Sequence, residues 1–100
     1  MRPSDALKGK RDQDRLVVET YGFVSPKLFG STARGEDREG SDLDLLATIP
    51  DALVGKISLF DIADLEAELS SLLGVAVDFN IANNMPDDLR ELVSVEAIDL

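Results

Sequence analysis

Ser41-Asp42-Leu43-Asp44-Leu45 begins ten residues after Ser31 of a Gly30-Ser31 pair. The run from Ser41 to Ile49 reads as a strand, stopped by Pro50, which cannot donate to a ladder. Alternate side chains of a strand share a face, so Asp42 and Asp44 point one way and Leu43, Leu45, Ala47 and Ile49 the other. The two aspartates then stand roughly 6–7 Å apart at Cα. Left alone they repel each other and raise one pKa; a shared divalent cation removes that cost. The chain has no histidine and no cysteine, so the cation must be a hard, oxygen-preferring one such as Mg2+, Mn2+ or Ca2+.

Asp78 has a similar setting. In Val75 to Ala82 the residues Val75, Val77, Phe79 and Ile81 face one way, and Ala76, Asp78, Asn80 and Ala82 the other. If the two strands are neighbours, Asp78 joins Asp42 and Asp44 on one side. Three clustered carboxylates are the ligand set for two-metal phosphoryl transfer. Gly30 lets the backbone approach a phosphate, and the amides after it open a helix, where an anion is favoured. The Ser31 hydroxyl can donate to a phosphate oxygen, and Arg34, one turn on, can clamp it. Asp42, Asp44 and Asp78 are therefore expected as catalytic and metal-binding residues, with Asp78 accepting the proton of an attacking hydroxyl. Gly30, Ser31 and Arg34 are expected to bind the nucleotide. Each piece alone is common: Asp-x-Asp is often a solvated face, Gly-Ser an ordinary turn and Arg34 a surface arginine. Their combination and order carry the chemistry. A calcium loop in Gly35–Asp44 lacks the spacing and closing glutamate of an EF-hand.

Several elements must position these residues. Residues 5–20 are expected to form a helix with a thin stripe of Leu7, Leu16, Val17 and Thr20, closed by Tyr21-Gly22. Val24 to Phe29 is a short strand interrupted by Ser25-Pro26, and Thr32-Ala33-Arg34 begins a brief helix. Ser58 to Leu73 carries Leu59, Ile62, Leu65, Leu69, Leu72 and Leu73 at helical spacing, with Ser58 as cap and Gly74 as terminator. Pro86 suits the start of a last helix bearing Leu89, Leu92 and Val93. The order α-β-α-β-α-β-α gives a small α+β, or mixed α/β, domain: a short central sheet with helices on one side.

One hundred residues make one domain, 1–100, with residues 1–15 polar enough to fray. No apolar run reaches membrane-spanning length and the N-terminus lacks the apolar stretch of a secretory signal, so a cytoplasmic protein is expected. The net charge of −10 is uneven: residues 1–56 hold ten acids and nine bases, residues 57–100 ten acids and one base, Arg90. Such a half repels a nucleic-acid backbone and suits a basic protein partner, or serves only as a solubility charge.

"FGSTARGEDREGSDLDLL" resembles the signature of the minimal nucleotidyltransferases of the DNA polymerase beta superfamily. "GVAVDFN" is similar to that family's third-carboxylate strand, and "MPDDLRELVSVEAIDL" to its closing segment. The resemblance spans residues 22 to 100. It implies the nucleotidyltransferase fold, a mixed sheet flanked by helices. It also implies Mg2+-dependent transfer of AMP from ATP to a hydroxyl, with Gly30 and Ser31 on the triphosphate and Asp42, Asp44 and Asp78 as the metal-binding triad. Stand-alone members of this size resemble antitoxins whose partner is a HEPN ribonuclease toxin, some of which are adenylylated on tyrosine. The alternative is an antitoxin that neutralises by binding alone. In two places the chain departs from the family pattern: its N-terminal segment is more polar, and Phe79-Asn80 follow Asp78 where an aliphatic pair is usual.

Overall fold

Alternating hydrophobic periods partition the chain into helices and strands. The computed structural model describes residues 1–100. The helices are α1 (Pro3–Ala6), α2 (Arg11–Thr20), α3 (Gly30–Arg34), α4 (Leu59–Leu73) and α5 (Asp87–Glu96). The strands are β1 (Val24–Leu28), β2 (Leu43–Thr48), β3 (Val77–Ile81) and β4 (Ile98–Asp99). They form one mixed sheet in the order β3-β2-β1-β4, with β2 and β3 parallel and the other pairs antiparallel. Parallel neighbours need a crossover, and α4 provides it. Ser58 caps α4 and exchanges hydrogen bonds with Asp61 in a capping box; Gly74 ends the helix in the left-handed conformation.

One face of the sheet is the core. Leu28, Leu43, Leu45, Ala47, Val77, Phe79 and Ile81 pack with Val18 of α2 and with Leu65, Leu69 and Leu73 of α4. Phe23 meets Phe79 edge-on, ring centres 4.9 Å apart. On the outer edge of the sheet, the Phe79 N–H donates to a Glu66 carboxylate oxygen at 3.3 Å. The other face carries Asp44, Leu46, Thr48, Asp78 and Asn80. Helices stand on both faces, not one: α5 crosses the second, where Arg90 and Ser94 line a cleft with Lys27, Leu46 and Thr48. The Ser25-Pro26 interruption appears as a positive φ of 53° at Ser25 and a register shift between Val24 and Lys27. The two-residue β4 after Ala97 has no counterpart in the expected order.

The N-terminal region departs from a single helix over 5–20. Gly9, at φ +74°, breaks it into α1 and α2. Pro3, Ala6 and Leu7 are buried, and the Ser4 N–H donates to Asp37 Oδ2 at 2.9 Å. The buried stripe of α2 also differs. Asp14 and Val18 are fully buried and Val17 and Tyr21 partly so, whereas Leu16 is exposed. Positions 14, 17, 18 and 21 share one helical face, so an aspartate occupies a core position.

Burial dominates that aspartate. Neither Asp14 carboxylate oxygen has a hydrogen-bond partner. Desolvation pushes its pKa from 3.8 to about 6, against a smaller downward pull from Arg11. The folded state thus binds the proton more tightly than the unfolded state, and stability falls as pH rises from about 4 through 6. At ~1.36 kcal/mol per pH unit the cost at neutral pH is ~3 kcal/mol. Asp14→Asn removes the buried charge and is expected to stabilise the protein by about 2 kcal/mol at pH 7 and by almost nothing at pH 3.5. Urea unfolding at both pH values checks this; an equal effect at the two would refute it.

Candidate active site

The parallel pairing of β2 with β3 sets Asp44 directly opposite Asp78. In neighbouring parallel strands, paired residues project to the same face. The two carboxyls therefore stand side by side on the face away from the core. Burial raises the Asp44 pKa most; the negative charges of Asp78 and then Asp42 add to the rise, as does a hydrogen bond with the Asp78 carboxyl, while Arg34 pulls the other way.

Asp42 sits differently from expectation. β2 begins at Leu43, so Asp42 precedes the strand and is exposed. The turn before it is closed by Arg38 N–H to Ser41 Oγ and Ser41 N–H to the Arg38 carbonyl, both 2.9 Å. Asp42 faces the pair through its charge, and no three carboxylates stand together as a ready-made metal cluster. Magnesium is ordinarily held by one or two carboxylates completed by water and substrate phosphates, not by an all-protein cage. The donor set here is all oxygen and anionic, and a dication relieves the repulsion within it, so these residues fit such an ion.

Gly30 meets this group from β1. It follows Phe29, whose N–H donates to the Asp44 carbonyl at 3.1 Å, so the turn is bonded to the strand it serves. Gly30 has φ +68°, and a Cβ there would overlap the Asp44 carboxylate. Only glycine leaves that space open. Ser31 and Thr32 follow in the first turn of α3, whose leading N–H groups have no partner within the helix. Thr32 is buried and its hydroxyl has no partner. Gly35, left-handed at φ 72°, ends α3.

Arg34 ends the same turn but is not free. Its Nε lies 3.3 Å from Glu36 Oε1, and its Nη1 donates to Glu96 Oε2 at 3.3 Å. The structure thus brings together Gly30, Asp44 and Asp78. It sets Ser31 and Arg34 on the adjoining helix and Asp42 at the strand's entrance. Sequence reasoning passed over Glu96, which ties α5 to Arg34, and the cleft cations Lys27 and Arg90. Lys27 pairs with Leu46, two residues along β2 from Asp44, a register that only the folded sheet reveals.

Gly30→Ala should cost about 2 kcal/mol, part from the left-handed backbone and part from overlap with Asp44. In an Asp44→Ala background the overlapping oxygen is gone, and the cost should fall by about 1 kcal/mol. Urea titrations of the four proteins measure this coupling; strict additivity would show that the glycine and the carboxylate do not meet.

Residues 25–99 match the nucleotidyltransferase domain family. MJ0435 of Methanocaldococcus jannaschii, provisionally named a protein adenylyltransferase, is 36% identical over 84% of this chain and 86% of its own. The protein adenylyltransferase MntA of Thermococcus cleftensis is 31% identical over 80% of this chain and 77% of its own. A solved structure provisionally named a minimal nucleotidyltransferase superposes with a TM-score of 0.83 at 39% identity, over 97% of this chain and 95% of that one. At 16% identity, the MNT antitoxin complex with a tri-AMPylated Shewanella oneidensis HEPN toxin shares the fold, with a TM-score of 0.68 over 92% of this chain and 69% of that one. With a sheet that sets two aspartates beside a glycine turn, and three-quarters of its length matched, the chain belongs to the nucleotidyltransferase domain family.

Proposed function

We propose that the chain is an antitoxin that transfers AMP from ATP to a hydroxyl, expected to be a tyrosine, on a HEPN-type toxin. The observation that carries this reading is the register of β2 and β3, which pairs Asp44 with Asp78 beside the opening at Gly30. Its relatives named as protein adenylyltransferases support the transfer, and the complex of a similarly folded antitoxin with an AMPylated toxin supports the partner.

Gly30 admits the polyphosphate against the backbone. The Ser31 hydroxyl and the leading amides of α3 donate to its oxygens. Arg34 supplies a positive charge, and exchanging its contact with Glu96 for a phosphate leaves that charge satisfied. The acceptor oxygen attacks the α-phosphorus; that O–P bond forms as the bond from phosphorus to the bridging oxygen breaks, and pyrophosphate leaves. Asp78 accepts the proton of the attacking hydroxyl. Mg2+ or Mn2+, held by Asp42, Asp44 and Asp78, would supply positive charge to the pyrophosphate as it departs. No helix is long and apolar enough to cross a membrane; a reaction that draws on ATP supports a cytoplasmic location.

A binding-only antitoxin is the second reading, favoured by the solvent-exposed apolar side chains of α5. Incubation with radiolabelled ATP, Mg2+ and the product of the adjacent gene separates the two. Label should appear on that product with the wild-type chain and fall at least about 10²-fold with Asp44→Ala. Complete neutralisation by Asp42→Ala/Asp44→Ala would instead show that covering the toxin suffices. Calorimetry should detect Mn2+ uptake in the presence of a non-hydrolysable ATP analogue and lose it in Asp44→Asn/Asp78→Asn.

A further inference from the structure

Helix α5 is ten residues long and buries none of them. Its sequence is amphipathic, yet Leu89, Leu92 and Val95, three residues apart along one side, are 45%, 69% and 87% exposed. Leu59 and Phe60, at the start of α4, are each 83% exposed. The two sets are continuous. Leu59 and Leu89 line one groove of about 430 Å3 floored by Phe79 and Ile81, and Leu89 opens onto a second along α5 with Leu92 and Val95. A monomer rarely leaves so extended an apolar band in water unless something covers it.

Charge selects what covers it. Asp61 and Asp64 flank the band on α4, and Asp87, Asp88, Glu91 and Glu96 flank it on α5. The single base, Arg90, is already engaged by Asp87 and the Met85 carbonyl. A second copy would bring an identical acidic rim against this one, and an anionic lipid surface would be repelled in the same way. We propose that the band formed by α5 and the start of α4 is the docking surface for an amphipathic helix of a partner protein, apolar on its inner face and lined with lysine or arginine at its edges. Resting on the antitoxin reading, it deepens that reading: Glu96 on the same helix holds Arg34 of the site, so a partner seated here grips the helix bonded to the site.

The probe is a fourteen-residue synthetic amphipathic helix of leucine and lysine, with a leucine and glutamate counterpart, titrated into the 15N-labelled full chain. The lysine peptide should saturably shift the amides of Leu59, Phe60, Leu89, Leu92 and Val95, and the glutamate peptide should not. Leu92→Ser/Val95→Ser should weaken binding at least tenfold with an unchanged circular-dichroism spectrum, while Glu39→Gln, exposed elsewhere, should leave it as it was. Shifts centred on Asp44 and Asp78, or affinity unmoved by the double substitution, would overturn the proposal. So would a wild-type dimer at 200 μM in sedimentation that Leu92→Ser/Val95→Ser renders monomeric, which would assign the band to a second copy. Asp44→Asn should bind the peptide normally. Loss of docking with AMP transfer intact would sink this surface alone, and docking without transfer would sink the catalytic reading alone.

Discussion

Two like charges placed opposite each other in adjacent parallel strands set the terms for this small fold. Register pairs Asp44 with Asp78, and because side chains alternate, the same register that buries Leu43, Leu45, Val77 and Phe79 drives both carboxylates to the opposite face. The core therefore stabilises the repulsive pair. The pair cannot separate without a one-residue slip, which would turn the whole apolar set to solvent. Gly30 fits the same constraint: with the Phe29 amide bonded to the Asp44 carbonyl, any side chain at the turn would strike the carboxylate.

Much of this was legible in the residues. Alternation located β2 and β3, and the capping serine and terminal glycine bounded α4 within a residue. The apolar face of β3 foretold which way Asp78 points. Illegible features were of two kinds. One was charge in a core position: Asp14 completes the stripe with Val17, Val18 and Tyr21, and a hydrophobic pattern skips it, choosing exposed Leu16 instead. The other was long-range pairing. Nothing local says that Glu96 meets Arg34 sixty-two residues away, or that the last residues return as β4 beside β1. Asp42 falls between these cases: its spacing from Asp44 was visible, but strand pairing starts one residue later.

The N-terminal third shows how a polar segment is fixed without a large core. Asp37 accepts from the Ser4 amide, and Arg11 and Arg15 donate to the carbonyls of Asp99 and Leu100. These contacts join the two ends of the chain across β4, so the element carrying the burdened Asp14 is clamped from both sides. Against the destabilisation from that aspartate stands the burial of Leu7, Val18 and Phe23 in the core.

The glutamate on the outer margin of the sheet has a further consequence. β3 is a border strand, and border strands invite foreign strands to pair with their unused amides. By taking the Phe79 amide at the centre of β3, Glu66 occupies one of those donors with a side chain from the crossover helix. Sheet extension from this margin, whether toward another protein or into a fibril, must first displace a bonded carboxylate. Encounters are thereby steered away from backbone pairing and toward side-chain recognition, which can tell one neighbour from another.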